Sequence, residues 1–181
     1  MVQTDNSFFA DKVALRAGHL PTKTDRISVL DCFGGGGLVW SAVSSSTGRN
    51  INRISIEIKD DHGVGFHLPG NNMSFLPSMN IDKFDVIDLD AYGVPYDQLS
   101  VIFKRNYRGI VFVTFIQSVV GSLPRLMLVE NGFTKEMIKN IPTLFFRNGW
   151  EYFKNFLALH GVGEVWHRHH HRKHYLGFML D

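Results

Sequence analysis

The chain has 181 residues, 44% hydrophobic and 13% aromatic, enough apolar material for one core and little for a second, so a single domain is expected over 1–181 with 1–25 as a helical extension. A formal net charge of +2 is too small to name a partner by itself. No apolar run approaches a membrane span and the N-terminus lacks the order of a secretory signal, so no membrane partner and a cytoplasmic location are expected.

Residues 8–16, FFADKVALR, have helical spacing; Phe9, Lys12 and Arg16 either approach a cofactor or nucleic-acid phosphate, or belong to a solvated amphipathic helix. RISVLDCF, 26–33, is apolar and β-branched and runs into four glycines, as a buried strand entering a tight turn does. Cys32, the single cysteine, cannot form an internal disulfide, and its place there fits a small buried residue. Leu38 to Val43 opens a short helix that SSSTG ends. RISIEI, 53–58, is a second strand, and a weaker one is expected around 73–76. FDVIDL, 84–89, reads as a buried strand, followed by a helix over 96–104. GIVFVTF, 109–115, has the nearly continuous apolar character of a central strand covered on both faces. Residues 134–159 offer two helical blocks, broken near Pro142 and near Asn148-Gly149. Glu164 to Trp166 and Tyr175 to Leu180 are strand-like pieces flanking a segment, Trp166 to His174, with three permanent cations and five histidines in nine positions. The alternation predicts an α/β sandwich with a mostly parallel sheet and a C-terminal antiparallel hairpin.

In such sheets ligands sit beyond the carboxyl ends of the strands. Glycines there let backbone N–H groups approach a ligand, and an acid about twenty residues on, here Glu57, accepts from ribose hydroxyls. A dinucleotide G-x-G-x-x-G does not fit, because its third glycine would fall on Val39 or Trp40. Asp31-Cys32-Phe33-Gly34-Gly35-Gly36-Gly37 instead resembles the D-x-F-x-G-x-G signature of class I S-adenosylmethionine-dependent methyltransferases. The resemblance implies a Rossmann-like sandwich whose cofactor, S-adenosylmethionine, lies against Asp31, Phe33 and the loop Gly34, Gly35, Gly36, Gly37. Gly35 and Gly37 match the signature glycines; Gly34 and Gly36 exceed what it demands. It further implies Glu57 on the ribose, Ile58 against the adenine face, and Asn71 or Asn72 at the adenine edge. The alternative is a glycine turn made for close packing and a solvated Glu57.

The next motif is Asp85-Val86-Ile87-Asp88-Leu89-Asp90-Ala91-Tyr92-Gly93. An exocyclic amine of a base has a delocalised lone pair, and hydrogen bonds from it to a carboxylate and a carbonyl shift it toward the nucleophilic form. An aromatic ring then stacks on the extruded base. DVIDLDAYG resembles the D-x-D-P-Y/F-G segment of the tRNA guanosine N2-dimethyltransferase family, with Ala91 in place of proline. That resemblance implies Asp90 as amine acceptor, the Ala91 carbonyl as second acceptor and Tyr92 as stacking ring; Asp85 and Asp88 read as structural acids.

Alternate histidines 167, 169 and 171 share one side of a strand, but no cysteine or acid completes a metal site and the adjacent arginines repel a cation, so no metal is expected. Arg168, Arg172 and Lys173 form either a phosphate-binding finger or a solvated tip. The expected function is methylation of an exocyclic amine on a nucleic-acid base, RNA, and tRNA in particular, favoured over DNA. A small-molecule or protein methyltransferase, and a non-catalytic subunit binding S-adenosylmethionine or RNA, are the alternatives.

Overall fold

A computed structural model describes residues 8–22, 25–58, 65–117, 123–140 and 148–181. In chain order the elements are α1 (Phe9–Gly18), β1 (Arg26–Asp31), α2 (Leu38–Thr47), β2 (Asn50–Glu57), β3 (Phe66–Pro69), α3 (Asn72–Phe75), β4 (Val86–Leu89), α4 (Tyr96–Lys104), β5 (Gly109–Ile116), α5 (Arg125–Glu130), α6 (Lys135–Asn140), α7 (Gly149–Leu159), β6 (Trp166–His170) and β7 (Lys173–Leu180). The strands form one sheet in the order β3-β2-β1-β4-β5-β7-β6. Pairing is parallel from β3 to β5, and β7 runs antiparallel between β5 and β6. The expected α/β sandwich with an antiparallel C-terminal hairpin is present.

The central strands are apolar on both faces because both are covered. Leu30, Ile87, Val111 and Phe115 pack with α4, α5 and α7 through Leu99, Met127 and Phe153. Ile27, Val29, Val86 and Phe112 pack on the other side with Leu15 of α1 and Trp40 and Val43 of α2. No described helix is long and apolar enough to cross a membrane.

Three expectations need correction. Residues 73–76 are not strand: Asn71 accepts the Met73 N–H and starts α3 there. The third strand is Phe66–Pro69, a half-exposed edge whose proline and scant apolar content hide it from a pattern search. The histidine segment is not a connection between strands but lies within them: β6 and β7 pair from Trp166–Gly177 to His170–Lys173, leaving only His171 and Arg172 at the tip. The solvated amphipathic helix is also overturned, since Lys12 and Arg16 of α1 are 6% and 1% exposed. The break expected at Pro142 lies outside the described residues.

Strand alternation then sets up the site. Period-two geometry puts Ile27, Val29 and Asp31 of β1 on the α1 face, as it does Val86 and Asp88 of β4, and Ile110, Phe112 and Thr114 of β5. Each strand is apolar until its carboxyl end and polar there. The face that α1 and α2 cover therefore changes from hydrocarbon to carboxylate where the strands end.

Candidate active site

Three carboxylates meet at that end, each with a cation. Asp88 receives both Arg16 Nε and Arg16 NH2 at 2.7 Å, a bidentate pair, and the Trp40 indole N–H at 2.8 Å. Asp31 pairs with Arg53 at 3.1 Å, both nearly buried. Asp90 takes Lys12 Nζ on its two oxygens at 2.9 and 2.8 Å and the Thr114 hydroxyl on Oδ1. Buried charges persist when paired and hydrogen-bonded, and all three meet that condition.

The environments separate the acids. Burial first, then the charge of Asp88, pushes the Asp31 carboxyl up to about 7 against the pull of Arg53. Burial also pushes Asp90 upward, but the charges of Arg16 and Lys12 and the hydrogen bonds from Lys12 and Thr114 outweigh it, so its carboxyl titrates below the ordinary value. Asp90 is thus held ionised beside the cleft. Cys32 is 1% exposed, and burial followed by the charges of Asp31 and Asp88 pushes its thiol well up, which leaves it inert.

A cleft opens between the glycine loop and the end of β4; its wall includes Asp31, Phe33, residues 34–37 and Asp90. The loop turns on a Gly37 N–H to Gly34 carbonyl bond of 3.0 Å, with positive φ at Gly35 (41°) and Gly37 (72°). Arg53 props it from beneath, donating to the Gly34 carbonyl at 3.1 Å. A Cβ at Gly37 would stand 2.4 Å from Arg53 NH2, and one at Gly34 would stand 2.5 Å from Ser55 Cβ, whereas one at Gly35 would meet nothing within 4 Å. Gly34, which exceeds what the signature demands, is therefore required by packing, whereas a side chain at Gly35 would enter open space.

The remaining predicted residues are placed around this cleft. Glu57, at the end of β2, accepts the Ile58 N–H at 2.8 Å and approaches the Gly35 N–H at 3.4 Å. Ile58 is 72% exposed. Asn71 is exposed, but Asn72 is a brace: its amide donates to the Cys32 carbonyl and accepts from Gln98, both at 2.8 Å. Ala91 is nearly buried, with its N–H on the Leu89 carbonyl at 2.8 Å, while Tyr92 is 80% exposed. Gly93 accepts the Ile116 N–H, and Ile116 pairs with Lys173. The hairpin tip with Arg172 therefore lies at the same end of the sheet as Tyr92, and Arg168 is exposed on β6. Among the described residues no cluster of histidine, cysteine and acid is arranged to hold a metal.

Arg53, Trp40 and Thr114 belong to the site and were not singled out by sequence. One of them carried a signal: Thr114 is the polar member of the otherwise apolar β5, at a position that alternation turns toward α1 and α2.

Known structures share this architecture. A protein of Escherichia coli assigned as a methyltransferase superposes with a TM-score of 0.54 at 13% identity, covering 100% of this chain and 88% of that one. A Clostridium thermocellum protein assigned as an rRNA methylase gives 0.52 at 12% identity, with 98% and 97% covered. A SAM-dependent methyltransferase of Archaeoglobus fulgidus gives 0.54 at 11% identity, with 96% and 92% covered. No protein-family model and no curated protein matches the sequence, so the likeness is one of fold: the Rossmann-like sandwich of class I methyltransferases.

Proposed function

We propose that the chain is an S-adenosylmethionine-dependent methyltransferase acting on an exocyclic amine of a nucleic-acid base, with RNA, tRNA in particular, favoured over DNA. The observation that carries this reading is Asp90, held ionised on the wall of the glycine cleft, two residues before an aromatic ring that stands 80% exposed.

The residues present suit the cofactor. Gly35 faces open space, the N-terminus of α2 opens at Gly37 toward a carboxylate group, and Glu57 stands at the loop for a ribose. Ile58 and Asn71 then border the adenine. S-adenosylmethionine, when bound, supplies a methyl group already activated on a sulfonium. What the chain adds is positional. Asp90 and the Ala91 carbonyl accept N–H groups of the target amine, localising its lone pair, and Tyr92 stacks on the extruded base. Arg168, Arg172 and Lys173 lie on the hairpin that ends beside this mouth and offer contacts to phosphates.

The test is incubation of the protein with labelled S-adenosylmethionine and pooled tRNA, rRNA and DNA, followed by nucleoside mass analysis. An N-methylated nucleoside is expected, its yield falling on the order of 10²-fold or more in Asp90→Ala while cofactor affinity survives. Label appearing only in small molecules or protein, or transfer unaffected by Asp90→Ala, would overturn the reading.

A further inference from the structure

Lys12 is an oddity on α1. Its side chain is 8% exposed, its ammonium stands 5.3 Å from the Tyr175 ring centre, and burying an ammonium carries a desolvation cost that an anchoring role does not require. The helix is already anchored without it. Arg16 grips Asp88, Asp11 pairs with His170 at 2.8 Å, Phe8 stacks on His170 at 3.8 Å and His19 on Trp166 at 4.1 Å.

We propose that Lys12 is a positioning residue for Asp90, fixing the rotamer and charge of that carboxylate and leaving one lone pair, on Oδ2, for an incoming N–H. The inference rests on the amine-binding reading of Asp90 above. An ionised carboxylate offers about four acceptor sites. Lys12 takes one on each oxygen and Thr114 takes the second on Oδ1, so among the described residues Oδ2 keeps the remaining one. The amine is thereby limited to a single bond with this acid, and its other N–H falls to a backbone carbonyl. Asp90 is faced by Lys12 and Arg16 from α1, Asp31 from β1, Asp88 from β4, Thr114 from β5 and Tyr175 from β7. Of the two cations, Arg16 is committed to Asp88, which leaves Lys12 as the one whose removal changes Asp90 selectively.

The experiment follows the Asp90 carboxyl by ¹³C NMR titration in the intact protein, assigned with Asp90→Asn, beside methylation of unfractionated tRNA from labelled S-adenosylmethionine as a function of pH. In Lys12→Met, or in Lys12→Gln if the former does not fold, the Asp90 midpoint should move upward. kcat at pH 6 should fall at least about tenfold with cofactor affinity unchanged, activity should recover as pH rises, and Lys12→Arg should restore both. An unmoved midpoint, or wild-type transfer at every pH, overturns the role of Lys12. Absence of methylation of tRNA, rRNA and DNA alike by the unaltered protein counts instead against the amine-binding reading, and the titration still decides whether Lys12 sets the state of Asp90.

Discussion

At the residue scale, three of the four loop glycines have separate reasons. Gly37 has positive φ and lies on Arg53; Gly35 has positive φ and faces the cleft; Gly34 lacks the positive φ, and its lack of a side chain is demanded first by Ser55, whose Cβ an added Cβ would meet at 2.5 Å, and then by Arg53 NH1 at 3.3 Å. Overpacking of this kind costs about 1–3 kcal/mol. Gly34→Ala should therefore lower stability by about that amount in urea unfolding, and the loss should shrink when Ser55→Gly is already present, as a double-mutant cycle would register. Additive losses would show that the contact with Ser55 is not what excludes a side chain. The motif gave the loop's position from sequence, but a clash with a residue 21 positions away on a neighbouring strand leaves no local trace.

At the element scale, the hairpin turns on burial of unlike groups. His174 is 6% exposed, stacks on Trp150 at 4.2 Å and shares a 3.0 Å hydrogen bond with His167, a bond that needs one ring nitrogen as donor and the other as acceptor. Burial first, and then the charges of His169, His167 and Lys154, pushes His174 down to about 3 from 6.5. Between those values the unfolded chain binds a proton that the folded one refuses, so stability from this group is complete above pH 6.5 and is lost as pH falls toward 3. Thermal unfolding across that window should fall less steeply with acid in His174→Phe than in the parent; equal slopes would contradict the neutral buried state. The segment's strands are hard to read from sequence because basic and histidine side chains mask the alternation; pairing of β7 with β5 and rings packed on it by α7 and by both ends of α1 make strand of it. The helix α1 was legible, but the role of its polar face was not: Lys12 and Arg16 also fit a solvated face until Asp88 of β4 and Asp90 just after it arrive to receive them.

At the scale of the whole molecule, a mostly parallel α/β sheet, though not the order of its strands, was implied by alternating elements and by the resemblance of VLDCFGGGG and DVIDLDAYG to methyltransferase segments. Those two segments are adjacent because β1 and β4 are neighbours, with Asp31 opposite Asp88. Apolar runs made the central strands legible; the edge strand β3, with little to bury, was not. The ion-pair layer under the loop was illegible for a different reason, since charge pairing across 72 or 78 residues depends on which strand ends come together and not on local pattern. Every role proposed for the cleft depends on the cofactor. Isothermal titration of the intact chain with S-adenosylmethionine or its demethylated product should give saturable binding that weakens in Glu57→Ala; no binding by the folded protein, with Glu57→Ala behaving identically, would contradict it.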